Sequence, residues 1–491
     1  MSSHPPFSPH RQEAPALLAG EDLAPPWSST WSWAAALAAT ILVGLLARLS
    51  RLRVTSLWYD EFLTVRTIRM DWQPVLLGRY PDELHPPLYF AALKLWASIV
   101  GESELNLRLF SLLAALASIG LIYVVGRAIG DRRVGLAAAV LLAFQRGFIY
   151  YSTEIRMYSL LICLSLVAVA AFIAYQTGRA RGRLLLAALF ASTLAVTYTH
   201  YFGLLLPAGM LAFCLYRRLV QQDTRQNGAI VALVLALLLF IPCAVAILRP
   251  QIAFYRSAFQ GADYQRLGAS TPLAILSWSG NIAVFTPSIT SILTLASALC
   301  GALLLYRFAK PALAVFMLAF VLASSLVVIL ASWYGLNVVS RYMLHVALFS
   351  LLLAAGACLR GRGRLALAIN ALGACLLVAF AIDGASFALS GARLHPDWRG
   401  VAAAVRADQA PGEPVIILGW DALPVGYYLG PAQPIMIGPD VEQRARSTSG
   451  RPSYLVIESE VSGRPAFLSQ ASVLYEAPED RARLLRWVPS R

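Results

Sequence analysis

The sequence predicts an all-α polytopic membrane bundle of about eleven transmembrane helices, with juxtamembrane helices in the first external loop and a small α/β external C-terminal domain. Three observations predict it. The composition is 58% hydrophobic and only 13% charged, with a mean hydropathy of +0.64, which leaves too little polar surface to coat a soluble body of 491 residues. Apolar stretches of membrane-crossing length recur along the chain, and basic residues gather in every second short loop between them.

A membrane helix needs about 20 mostly apolar residues. On that criterion, spans are expected near 31–50, 107–126, 134–150, 157–176, 184–200, 202–220, 229–248, 288–307, 311–333, 341–359 and 364–385. The basic loops hold Arg127, Arg132 and Arg133; Arg179, Arg181 and Arg183; Arg217, Arg218 and Arg225; Arg307 and Lys310; and Arg360, Arg362 and Arg364. The intervening loops carry few cations. Because positive short loops stay on the cytoplasmic side, the N-terminus is expected inside and the region after the last span outside. The stretch from Pro86 to Val100 is apolar but short and carries Lys94, so it is expected to lie flat in the outer interface.

This divides the chain into a disordered cytosolic tail (1–30), a membrane catalytic region (31–390, with its first external loop at 51–106) and a soluble extracytoplasmic domain (391–491). The first span reads as an uncleaved anchor, since the N-terminal stretch lacks the basic start and early apolar core of a signal peptide. In the first external loop, Asp71 is placed to cap a turn containing Trp72 and Pro74, and Pro86-Pro87 to open the next helix. In the tail, 397–408 has helical spacing, and 414–418 and 452–458 read as short strands. The localisation expected is a bacterial inner, or plasma, membrane crossed many times.

The net charge of +14 does not point to nucleic acid, because no basic run is interleaved with aromatics. The six cysteines all fall in apolar stretches with no CxxC or Cys/His spacing and read as packing residues.

Sorting the polar residues at span ends by side gathers Asp60, Glu61, His85, Glu154, Arg156, His200, Tyr201, Arg341 and Tyr342 on the outer face. Ionisable groups at membrane depth are costly and face cavities, so their convergence marks a site. Taken singly, each also fits a side chain snorkelling to the interface. The adjacent carboxylates in Ser56-Leu-Trp-Tyr-Asp-Glu-Phe-Leu-Thr64 suit a general base tuned by partial burial; an acid pair facing a helix dipole would look similar. His85-Pro86-Pro87-Leu88 aims the first turn of a helix, whose backbone N–H groups can meet an anion.

Asp60-Glu61 followed by His85-Pro86-Pro87-Leu88 resembles the paired acid and HPPL motifs of the protein O-mannosyltransferases. The chain as a whole resembles the bacterial glycosyltransferase family 39 branch of the GT-C superfamily. The likeness continues through Arg108-Leu-Phe, Tyr151-Ser-Thr-Glu-Ile-Arg-Met-Tyr158, Tyr198-Thr-His-Tyr201, Arg341-Tyr342 and Asp397-Trp398-Arg399, over most of residues 31–430. It implies a GT-C fold and an inverting transfer from a polyprenyl-phosphate-linked sugar, with Asp60 as the base.

Arginine forks match phosphate oxygens, so Arg156 and Arg341 are the candidates to hold the donor phosphate. Glu154 is a partner for Arg156 or a substrate ligand. Asp60, Glu154 and His200 leave room for a divalent metal ion, although their spacing does not demand one. Trp58, Tyr59, Tyr89, Tyr158 and Tyr201 are placed to stack on sugars or to anchor the interface. No long inserted luminal repeat is present, so the acceptor stays open among protein, glycolipid and other envelope glycans. A carrier for a lipid-linked or ionic substrate is the competing class, and a related glycan polymerase or ligase is a third. Paired halves with matching broken helices, the mark of many carriers, are not evident.

Overall fold

The computed structural model describes residues 30–80, 85–178, 182–250, 252, 289–333, 344–393, 395–410, 413–430, 435–437, 454–459, 468–469, 471–476 and 482–488. Arg179, Arg181, most of the loop 249–287, Arg341 and Tyr342 lie outside them. The helices are α1 (Thr30–Leu49), α2 (Tyr59–Arg69), α3 (Trp72–Leu76), α4 (Leu88–Val100), α5 (Glu104–Ile129), α6 (Arg132–Phe144), α7 (Arg146–Tyr151), α8 (Tyr158–Gln176) and α9 (Arg183–Thr199). They continue as α10 (Leu205–Leu219), α11 (Asn227–Cys243), α12 (Ile289–Phe308), α13 (Pro311–Trp333), α14 (Leu344–Ala355), α15 (Arg364–Leu389), α16 (Trp398–Asp408) and α17 (Val425–Leu429).

Among the described residues, eight helices are long and apolar enough to cross a membrane. Three further expected spans are present as shorter helices, α6, α9 and α14. The expected span at 134–150 is not one continuous helix. It breaks at Gln145, whose side-chain Oε1 accepts the Phe148 N–H at 2.6 Å and caps α7. The carbonyls freed at the end of α6 are met by a guanidinium from α1: Arg48 Nη1 donates to Ala143 O at 3.0 Å and Nη2 to Leu142 O at 3.4 Å. A buried arginine thus satisfies backbone groups that apolar surroundings would leave unpaired.

Small residues let the bundle close. A Cβ on Gly301 of α12 would come within 2.0 Å of Leu353 O in α14, and one on Gly384 of α15 within 2.2 Å of Phe144 O in α6. Helices lacking a hydrophobic drive between them in lipid depend on such close backbone approach.

In the first loop the helix expected over 86–100 is present as α4. It buries Tyr89, Phe90, Leu93 and Ala97 and leaves Leu95 and Ile99 exposed, the two-faced pattern of an interfacial helix. Lys94, the residue that argued against a span, donates from Nζ to Ile68 O at 2.8 Å and Met70 O at 2.7 Å. It thereby caps the C-terminal end of α2, where a cation is favoured. Asp71 precedes α3 as expected, without a side-chain cap bond.

The C-terminal region carries a five-stranded sheet in the order β2-β1-β3-β5-β4, formed by β1 (Val415–Ile417), β2 (Ile435–Met436), β3 (Tyr454–Ser459), β4 (Ser472–Glu476) and β5 (Ala482–Trp487). β1 is parallel to β2 and β3, whereas β5 is antiparallel to β3 and β4. Alternation sorts the side chains. Val415, Ile417, Leu455, Ile457 and Leu484 meet Trp398, Val401, Ala402 and Val405 of α16, while Ile416, Val456, Leu485 and Trp487 form a second cluster. The helix and the strands beginning near 414 and 452 were legible in the sequence; β2, β4 and β5 were not.

Candidate active site at the α2 end of the bundle

α2 begins in a capping box: the Trp58 N–H donates to Glu61 Oε2 at 3.3 Å, so the third residue of the helix closes back on the residue before it. This sends the two adjacent acids in different directions. Glu61 turns inward and is 1% exposed, taking the Ile155 N–H on Oε1 at 2.7 Å and facing Arg108 Nη2 at 3.3 Å. Burial pushes its carboxyl above the ordinary range, with Arg108 and the two backbone N–H groups pulling the other way. The Asp60 side chain stays partly open, 19% exposed, with Oδ2 3.9 Å from Arg156 Nη2.

Arg156 is the hub. Only 1% exposed, it donates from Nη1 to Asp60 O at 3.0 Å and to Thr64 Oγ1 at 2.9 Å. Its Nη2 lies 3.3 Å from His85 Nδ1. A guanidinium only donates, so Nδ1 is the acceptor and the imidazole proton sits on Nε2. The His85 carbonyl in turn receives the Tyr80 hydroxyl at 2.5 Å, which fixes the turn entering α4.

His200 closes the next side. It ends α9 and takes the Phe202 N–H on Nδ1 at 3.2 Å, with its ring 5.1 Å from His85 and 6.2 Å from Tyr158. Tyr201 packs toward Phe240 on the outer side of this turn. Asp60, His85, Arg156, Tyr158 and His200, drawn from four places in the chain, therefore form one patch at one end of the bundle, with Tyr59 beside Asp60 on the first turn of α2.

Glu154 is 3% exposed, and its Oε1 is 3.9 Å from His395 Nε2. His395 is the residue that sequence reasoning missed. It lies parallel to the Trp58 indole at a centroid distance of 4.5 Å, and its Nε2 is 2.6 Å from the Tyr150 hydroxyl. The segment leading into the C-terminal domain thus contributes a side chain to the site. A neighbouring motif was a usable signal: Asp397-Trp398-Arg399 lies two residues further on, and Asp397 Oδ1 accepts the Ser56 hydroxyl at 2.9 Å. We expect His395→Ala to destabilise the protein by about 1–2 kcal/mol, the sum of one stacked pair and one hydrogen bond. His395→Phe should recover the stacking share, as read by thermal unfolding and Trp58 fluorescence.

Among the described residues, no group of three His, Cys, Asp or Glu side chains is set to hold a metal ion. Asp60, Glu154 and His200 are turned to separate partners.

Comparison with known structures decides the architecture. The chain superposes on the crystal structure of ArnT from Cupriavidus metallidurans bound to undecaprenyl phosphate with a TM-score of 0.58, at 14% identity, over 93% of this chain and 98% of that one. The chain has the GT-C fold. The same GT-C fold relates it to the Archaeoglobus fulgidus oligosaccharyltransferase in its apo form (TM-score 0.55, 12% identity, 88% of this chain and 70% of that one). It likewise relates the chain to the AglB complex from that organism with an inhibitory peptide and a dolichol-phosphate (TM-score 0.53, 12% identity, the same coverage). Residues 84–245 match the family model described as dolichyl-phosphate-mannose-protein mannosyltransferase. That segment carries His85, Glu154, Arg156 and His200; Asp60 precedes it. No curated protein matches the sequence.

Proposed function

We propose that this protein is an inverting glycosyltransferase that moves a sugar from a polyprenyl-phosphate-linked donor to an acceptor hydroxyl at the external membrane face. The observation that carries the reading is the Asp60 carboxylate, partly open and set against the buried Arg156 guanidinium at one end of a GT-C bundle. Asp60 takes the proton of the acceptor hydroxyl as its oxygen attacks the anomeric carbon. The bond from that carbon to the phosphate oxygen breaks on the opposite face, and the polyprenyl phosphate leaves with the electron pair.

The anion needs no proton if cations meet it. Arg156 supplies one, and Arg341, which lies outside the described residues, is the second candidate. His85, with its proton on Nε2, adds a neutral donor. Glu154, Tyr158, His200, Tyr201, Tyr59 and Tyr342 are the groups to line the sugar and acceptor. Glu61 acts through others: it fixes the first turn of α2 and the Ile155 turn, so it is a positioning residue.

A place for the lipid chain supports the reading. A cavity of about 810 Å³ runs along α10 from Leu205, next to the Tyr201 turn, to Arg217, walled by small and apolar residues such as Ala208, Gly209, Ala212 and Ala319. That span covers most of the helix, on the order of 18 Å at 1.5 Å per residue.

Reconstituted protein given a radiolabelled polyprenyl-phosphate sugar should release one polyprenyl phosphate per sugar transferred, with the anomeric configuration inverted. Transfer from a nucleotide sugar instead, or retention of configuration, would overturn the proposal. Arg156→Lys should raise the donor KM by about 10- to 100-fold, the cost of losing charge-assisted bonds of a fork.

A further inference from the structure

We infer that Arg51 and Arg146 form a second anion site, separate from the Asp60–Arg156 patch, that takes the phosphate of a membrane lipid at the edge of the bundle. The two guanidiniums converge on one ring: the Arg51 Cζ lies 4.4 Å and the Arg146 Cζ 4.6 Å from the centre of Phe387, near the end of α15. Arg51 follows α1 directly and Arg146 opens α7, so three elements meet there.

The Arg51 part of the arrangement is costly without an anion. Arg51 is 3% exposed, and although its Nη2 donates to Ala392 O, its Nη1 is buried with no hydrogen-bond partner. Burying a charged donor unmet is among the dearer errors a fold can contain. Burial and then the neighbouring Arg146 push the Arg51 guanidinium below its usual range, with Tyr150 pulling the other way.

The acid in range is Asp383, one turn before Phe387 on α15. It is half-buried, and it feels Arg146 electrostatically. The Arg51 bond to Ala392 O, three residues beyond the end of α15, occupies one of its nitrogens and leaves the second guanidinium unaccounted for.

A phosphate matches the chemistry of the pair. It is planar-fork chemistry for arginine, and a lipid phosphodiester lies at the depth where a span ends. A lone arginine at this depth would snorkel into the headgroups without specificity. Here one of the pair is locked inside by Phe387 and Ala392, so the site has a fixed wall. Its position matters to the enzyme, because Tyr150, which contacts His395, lies one helical turn beyond Arg146 on α7. The inference does not depend on the transfer reaction.

The test uses the full chain, delipidated in non-ionic detergent and titrated with phosphatidylglycerol or phosphatidylcholine vesicle lipids by native mass spectrometry. Phosphatidylglycerol should be retained in preference to phosphatidylcholine, whose choline is repelled by the two cations. Arg146→Gln should lower that retention about tenfold, the loss of one charge-assisted contact. Arg51→Gln should do the same, and if it fails to fold, Arg146→Gln, on the less buried partner, carries the test alone. Arg53→Gln, an exposed cation of the same loop, should leave retention unchanged. Displacement of the lipid by millimolar inorganic phosphate would assign the site to the phosphate group as such, and resistance to it would assign the site to the lipid headgroup; both support an anion site. Unchanged retention in Arg146→Gln, or an equal loss in Arg53→Gln, would overturn it.

Discussion

Asp60→Asn is expected to reduce sugar transfer by about 10²- to 10⁴-fold while the protein still inserts and folds, the range over which a positioned general base contributes. The reason the fold should survive is specific to this site. Arg156 is held by the Asp60 backbone carbonyl at 3.0 Å and by Thr64 Oγ1 at 2.9 Å, neither of which the substitution touches. The carboxylate itself stands 3.9 Å from the guanidinium and remains partly open. An asparagine therefore keeps the shape and removes the negative charge facing Arg156 together with the ability to take a proton. Asp60→Glu should recover little, since one added methylene moves the base out of a geometry fixed by the first turn of α2. Transfer from a purified donor, measured beside thermal unfolding of the same preparations, checks the point. More than a tenth of wild-type activity in Asp60→Asn would remove Asp60 from the role of base.

The membrane character was legible because it is written in composition and length, which need no tertiary knowledge. The expected spans at 107–126 and 157–176, present as Glu104–Ile129 and Tyr158–Gln176, are one-dimensional facts. The same is true of α4, a thirteen-residue helix that is largely apolar, carries a lysine and is too short to cross a membrane. The break at Gln145 was not legible. A glutamine in an apolar run gives no warning that Arg48, nearly a hundred residues earlier, will meet the carbonyls it frees.

The site follows the same division. Asp60, His85, Arg156 and His200 were found as polar residues at span ends, and the structure brings them together. The separation of Asp60 from Glu61 could not be read, because adjacent helical positions point about 100° apart and only the location of Arg108 decides which one is buried. His395 was hidden for a different reason. Its partners, Trp58 and Tyr150, are distant in sequence, and a single histidine in a polar tail carries no periodic signal.

The linkage between tail and bundle accounts for one carboxylate being buried and the other left partly open. Glu104 opens α5 and accepts Arg399 Nη2 at 2.9 Å and the Tyr428 hydroxyl at 2.9 Å, both from the C-terminal region. It also pairs with Arg108 Nη2 at 3.0 Å. The Leu57 N–H donates to the same Tyr428 hydroxyl at 2.8 Å, so the approach to α2 is tied to the tail as well. Glu61 belongs to this clamp, and Asp60 projects from its edge.

Arg108→Gln is accordingly expected to be the most destabilising single change near the site, at about 3–5 kcal/mol, the cost of leaving a buried charge without its partner. Arg108 is 1% exposed and answers two carboxylates, Glu61 at 3.3 Å and Glu104 at 3.0 Å. Its Nη1 also donates to Leu52 O at 2.7 Å and Thr55 O at 2.9 Å, which shapes the chain between α1 and α2. Removing it strands Glu61 in an apolar interior and frees that segment together. Glu61→Gln should cost less: the amide oxygen still accepts from Ile155 and Arg108 keeps Glu104, so the loss is the Trp58 N–H bond, which the amide nitrogen cannot accept. The order Arg108→Gln worse than Glu61→Gln is the discriminating result, read by thermal unfolding in detergent and by proteolytic release of the C-terminal region. Equal stability of the Arg108 variant and the wild type would mean that the clamp does not hold α2. In that case the placement of Asp60 would have to rest on Arg156 and Thr64 alone.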